Sequence, residues 1–224
     1  MKRIRLSDRI LPTYTKGEEI FNMVSHIVGA ACGVAATALC VIFASVHHNV
    51  YGVVSGAIYG STMILLYTMS SIYHGLKPDT TAKKVFQIID HCTIFLLIAG
   101  SYTPFTLCTF REYNPVLGWS MFGILWGLAA IGITLNAIDL KRYKIFSMIC
   151  YLAMGWCIIV KFSILPELLG NMGVALLLGG GIAYTVGAIF YGLGKNCKYM
   201  HSVFHLFIVL GSVLQFLCIL LYVM

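Results

Sequence analysis

The chain has 224 residues, of which 59% are hydrophobic and only 10% charged, with a mean hydropathy of +0.89. A soluble domain carries roughly 25% charged residues because its surface must face water, so this composition excludes an ordinary soluble domain and points to lipid. The formal net charge of +7 would suit a nucleic-acid partner, but the cations fall in short clusters between apolar runs, the pattern of membrane topology.

The segment Met1–Lys16 is polar and basic, with neither a short apolar stretch nor a small-residue cleavage site. The apolar run from Ile20 is too long for a signal-peptide core and is expected to stay as a membrane helix. A crossing helix needs about 20 apolar residues. Seven runs qualify: Ile20–Ser45, Val50–Tyr73, Val85–Phe110, Val116–Ile138, Ile145–Leu165, Asn171–Leu193 and His201–Met224. The connections are short and carry turn signals such as Lys77-Pro78-Asp79 and Asn114-Pro115. The expected fold is all-α, with a cytoplasmic tail over residues 1–17 and a bundle of seven transmembrane helices over residues 18–224. Of the eight cysteines, all but Cys197 fall inside apolar runs and none forms a CxxC pair, so neither a disulfide framework nor a cysteine metal site is expected.

Lysine and arginine set the orientation. One side holds Lys2, Arg3, Arg5, Arg9 and Lys16, then Lys77, Lys83 and Lys84, then Lys141, Arg142 and Lys144, and finally Lys195 and Lys198; the other holds only Arg111 and Lys161. The N-terminus is therefore expected in the cytoplasm and the C-terminus outside, with Lys161 as an interfacial anchor. Glycines at four-residue spacing (Gly52, Gly56 and Gly60; Gly29 and Gly33; Gly123 and Gly127) predict helices that approach closely.

The polar residues inside the runs are few. Asp90 is the only acid within any of them, and a lone carboxylate there normally has a partner. His74 ends the second run, while His201 and His205 open the seventh on the same side, one helical turn apart and so on one face. His26, Asn22 and His91 fall at the same side; His47 and His48 fall in an external loop. Two imidazoles at i and i+4 can hold one metal ion, and His74 would complete three ligands with a fourth position open, the catalytic rather than the structural zinc pattern. Ser70 shares the face of His74, and Asp90 is placed to act as general base towards a water. The bland alternative is that these histidines are interfacial or packing residues.

The set Glu19-x-x-Asn22-x-x-x-His26, Ser70-x-x-x-His74, Asp90-His91 and His201-x-x-x-His205, with Ala99-Gly100-Ser101-Tyr102-Thr103-Pro104-Phe105, resembles the haemolysin III branch of the progestin and adipoQ receptor (PAQR) superfamily. The resemblance covers the chain after Tyr14. It implies Zn2+ held by His74, His201 and His205, with Asp90 reaching the ion through a water and Ser70 nearby. It also implies supporting or packing roles for Glu19, Asn22, His26 and His91. Ceramidase-like hydrolases of the wider superfamily make cleavage of a lipid amide or ester the leading expectation. A non-enzymatic regulator of membrane state, a lytic factor and an ion or metal transporter stand as alternatives. The partners expected are membrane lipids, one of them as substrate, with no nucleic acid and no soluble protein partner. A microbial rhodopsin would need a Schiff-base lysine in the seventh run, which has none, and a G-protein-coupled receptor would place the N-terminus outside.

Overall fold

The computed structural model describes residues 5–194 and 197–224, and among them every regular element is helical. Lys2, Arg3 and Lys195, three of the cations used for orientation, lie outside the described residues.

Helix α1 (Lys16–Val46) begins with a capping box: the Thr15 hydroxyl accepts the Glu18 N–H, and the Glu18 carboxylate accepts the Thr15 N–H. The helix thus starts four residues before its apolar run. Glu18 and Glu19 lie in its first turn, ahead of that run. Helix α2 (Val50–Gly75) is capped by Asn49, and α3 (Thr81–Pro104) by Thr80. That cap draws Lys83 and Lys84 out of the expected loop and into the first turn of α3. Pro104 has no N–H to give to the carbonyl one turn back. The chain passes this point through a π-helical segment (Phe105–Phe110) and a last turn, α4 (Arg111–Tyr113). Helix α5 (Pro115–Asp139) starts from Asn114 with proline in its first turn.

Among the described residues six helical stretches are long and apolar enough to cross a membrane, the fifth being Lys144–Leu193. The sequence separates that stretch into two runs joined by a loop. The structure instead continues from α6 (Lys144–Trp156) through a 3-10 segment (Cys157–Ile164) into α7 (Leu165–Leu193). Breaks at Lys161 (φ −118°, ψ 27°) and at Gly170 replace the loop. Gly170 takes φ +66°, a left-handed conformation that suits a residue without Cβ. The chain doubles back there. The Lys144 ammonium lies 5.5 Å from the Tyr191 ring centroid, and Trp156 Nε1 donates to Thr185 Oγ1 at 2.9 Å, so α6 and α7 run antiparallel. Helix α8 (Met200–Tyr222) follows Tyr199, also left-handed at φ +63°.

Helix α1 lies along α2 with almost no side chain between them. A Cβ on Gly60 would sit 1.9 Å from Thr37 Oγ1, one on Gly56 2.9 Å from the Cys40 Cβ, and one on Gly52 2.8 Å from the Ala44 Cβ. Gly29 and Gly33 meet Tyr67 and Ile64 in the same way. Gly123 and Gly127 do not: nothing lies within 4 Å of a Cβ on either. Four-residue spacing marks a face without saying whether a partner covers it, and α5 turns its other side inward, where Gly132 lies against the Phe95 ring.

Candidate metal centre

Three histidines meet at one end of the bundle. His201 and His205 project from the first turns of α8, with their Nε2 atoms 3.1 Å apart. His74, the penultimate residue of α2, closes the group. One ring nitrogen from each lies within 4.8 Å of the others, and all three side chains are buried. Nitrogens around one tetrahedral zinc ion are about 3.3 Å apart, given Zn–N bonds of about 2.0–2.1 Å. A small inward movement of His74 would therefore bring the three to that spacing.

The hydrogen-bonding state of the rings favours a cation. His74 Nδ1 lies 2.6 Å from Glu19 Oε2, an arrangement that keeps the proton on Nδ1 and leaves Nε2 as a free electron-pair donor. His74 Nε2 is fully buried and has no partner, nor has His205 Nδ1. An unsatisfied buried nitrogen costs about 1–3 kcal/mol, a cost that an ion at His74 Nε2 removes. The residues present therefore fit a zinc-type ion.

Glu19 does two things at once. Its other oxygen accepts from Lys83 Nζ at 2.7 Å, and the buried ammonium also donates to the Leu76 carbonyl at 3.1 Å. Lys83 is a part of the site that sequence reasoning missed. As a cation beside Lys84, just ahead of an apolar run, it looked like a loop residue, and nothing in hydropathy distinguishes the two. Asn22 approaches His74 Nδ1 at 3.5 Å through its amide nitrogen. Glu18 accepts the Tyr199 N–H at 2.6 Å, tying the start of α1 to the start of α8.

His26 lies against the triad without joining it: its ring is stacked 3.8 Å from that of His205, edge-on to Tyr67 at 4.9 Å. Just ahead of α1, Tyr14 stacks on His201 at 4.8 Å with the rings 23° apart. Burial pushes the Tyr14 phenol well above its ordinary range, so it stays protonated. Residues before it, from Leu6 to Pro12, contribute to the lining of the adjoining cavity. Arg9 Nε donates to Gln87 Oε1 at 2.9 Å, and Lys84 Nζ donates to the Ser7 carbonyl at 2.6 Å. Tyr14 was noted only as the start of the resemblance, and its ring contact was not foreseen.

Ser70, one turn before His74, is buried at 1% exposure. Asp90 lies outside the close ligand group, its carboxylate 3.8 Å from His91 Nδ1. Ser70, Asp90, His26, His201 and His205 all line one cavity of about 620 Å³, which continues past Leu97, Tyr102, Trp156, Leu177 and Gln215. His91 lines it too, held by the Gln87 carbonyl (2.9 Å) and Tyr191 Oη (3.4 Å), but it does not reach the triad. His47 lies apart from the centre, its Nδ1 2.9 Å from the Phe43 carbonyl.

Together the helices, the buried trihistidine group and the apolar cavity define a multi-pass integral protein of the cell membrane, equipped to hold a metal ion at one end of its bundle. A family model described as "Haemolysin-III related" matches residues 14–216, and the chain belongs to the haemolysin III family. It is 42% identical over 207 residues to Hemolysin-3 of Bacillus cereus, covering 92% of both chains. It is 37% identical over 209 residues to the Hemolysin-3 homolog of Bacillus subtilis strain 168, covering 93% of this chain and 96% of that one. A distant PAQR-type relative, the monocyte to macrophage differentiation factor of Homo sapiens, is 25% identical over 166 residues, or 72% of this chain and 67% of its own.

Proposed function

We propose that this chain is a zinc-dependent hydrolase of lipid amide or ester bonds, crossing the membrane seven times with its site at the cytoplasmic face. The observation that carries the reading is the trihistidine group with its orphaned His74 nitrogen, beside a cavity whose lining turns apolar. Length supports seven crossings. A straight helix of 50 residues would extend about 75 Å, against a hydrocarbon core of about 30 Å. The antiparallel contacts of α6 and α7 support two crossings by that stretch. The cation clusters support a cytoplasmic N-terminus and an external C-terminus.

His74, His201 and His205 would hold the ion, and Glu19 fixes the His74 tautomer while Lys83 holds Glu19 in place. Zinc in such a site polarises a carbonyl and makes a water acidic enough to attack at neutral pH. Asp90 would act as general base and then general acid, accepting a proton from the attacking water and returning it to the leaving amine or alcohol. The Ser70 hydroxyl donates to the oxygen on which negative charge develops. The apolar part of the cavity receives the hydrocarbon of the lipid and keeps water away from the reacting bond.

Elemental mass spectrometry of the detergent-purified protein tests the centre. About one zinc per chain is expected, lost in a folded His201→Ala/His205→Ala variant. Release of fatty acid from a lipid amide and ester panel tests the reaction, and zinc-loaded protein that leaves the whole panel intact refutes it. The printed name of the Bacillus cereus relative favours a second reading, a lytic factor. Leakage of dye from liposomes on adding this protein, and not on adding an unrelated membrane protein, would select it.

A further inference from the structure

We infer that His26 is a ligand-positioning residue, donating a ring N–H to an oxygen of whatever occupies the cavity beside the trihistidine group. The inference rests on reading that group as a metal centre.

His26 is 3% exposed, and both of its ring nitrogens are fully buried without a hydrogen-bond partner. A neutral imidazole carries one donor and one acceptor, and buried polar groups in folded proteins are normally paired. Packing alone does not account for a histidine here. The stack on His205 (3.8 Å, 31°) and the edge contact with Tyr67 (4.9 Å, 78°) are aromatic contacts that phenylalanine would make without burying two polar atoms. Membership of the ligand set does not account for it either, because among the described residues only His74, His201 and His205 bring donor atoms within 4.8 Å of one another.

What remains is the cavity. His26 lines it together with Ser70, Asp90, His201 and His205. A modest turn of the buried ring would present to a molecule bound through an oxygen at that end of the cavity a histidine N–H that nothing in the protein occupies. The chemical class selected is an oxygen acceptor next to the metal: a carboxylate, a carboxamide or ester carbonyl, or a hydroxamate. His26 acts in this role as a hydrogen-bond donor and transfers no proton. It holds the oxygen in register with the ligand histidines.

The test uses the full chain in detergent micelles, loaded with Co(II) in place of zinc and titrated with acetohydroxamate, with the visible absorption band as readout. His26→Phe keeps the ring and its stack but removes both nitrogens; His26→Gln keeps a donor. The expected result is unchanged cobalt content and an unchanged ligand-free spectrum in both variants. Acetohydroxamate is expected to bind about tenfold more weakly to His26→Phe, with much of the loss recovered in His26→Gln. Equal affinity in wild type and His26→Phe overturns the inference. Loss of cobalt or an altered ligand-free spectrum in His26→Phe also overturns it, by making His26 a metal ligand. Failure of both variants to fold, read from their melting curves, overturns it by making His26 a core residue. Wild-type protein that takes up no cobalt is a separate outcome: it removes the metal reading itself, and this inference with it.

Discussion

Glu19→Ala isolates the arrangement on which the centre depends. The change deprives Lys83, whose side chain is 2% exposed, of a carboxylate at 2.7 Å, and His74 of an acceptor at 2.6 Å. Removing one partner of a buried ion pair costs about 3–5 kcal/mol, mostly because the other charge is left without compensation. Glu19 is itself 16% exposed and Lys83 keeps its bond to the Leu76 carbonyl, so the lower end, about 3 kcal/mol, applies. For a chain of this size that is a fall in melting temperature of about 6–12 °C. Adding Lys83→Met removes the orphaned charge, and the Glu19→Ala/Lys83→Met double variant should recover more than half of the loss. Thermal unfolding in one detergent, followed by tryptophan fluorescence, reads both. If the single and double variants melt together, Lys83 is not held by Glu19 and the reasoning is refuted.

Metal affinity gives the same residue a second readout, since losing the acceptor on a ligating histidine costs about 10–100-fold; Glu19→Gln, which keeps an acceptor oxygen, should lose less in a competition titration. Gly60→Ala forces a Cβ to 2.8 Å from the Thr37 Cα and should cost about 1–3 kcal/mol. Gly127→Ala meets nothing and should be neutral or stabilising by up to about 1 kcal/mol, and equal melting of the two variants would contradict the α1–α2 packing. Tyr14→Ala uncovers His201 and should speed the transfer of zinc to an excess of soluble chelator, followed by a chromogenic dye, while Tyr14→Phe keeps the stack and the wild-type rate. Asp90→Asn should reduce lipid hydrolysis by about 100-fold or more yet leave metal content intact, because its carboxylate lies outside the close ligand group.

The helical architecture was legible because lipid imposes a length and an apolar content on each crossing element, and those can be read residue by residue. The i, i+4 pair His201 and His205 was legible for the same reason, as helical geometry fixes which face two such residues share. That His74 meets them was inferred from their common side of the membrane, and the helices do bring the three together. Lys83, Tyr14 and the link from Glu18 to Tyr199 were not legible. Each depends on tertiary approach between elements far apart in the chain, and a lysine beside a cap has the same local signature whether its ammonium faces water or Glu19. The Gly123 and Gly127 pair misled for the opposite reason, since its local pattern matches that of Gly56 and Gly60 while its face meets no neighbour. The stretch Lys144–Leu193 shows a third limit, because hydropathy sees two apolar runs and is blind to a turn made within continuous helical structure.

The trihistidine group draws one ligand from the second helix and two from the last. During synthesis from the N-terminus, His74 enters the bilayer long before His201 and His205 have been made. Through most of that interval Glu19, made before His74, and Lys83, made shortly after it, can hold His74 in its final tautomer. The centre comes into being only when the last helix is inserted in the correct direction. A truncated chain, or one whose final helix fails to enter, has a single histidine where three are needed and grips no ion. A chain that carries a metal at this point is a chain whose biogenesis is complete.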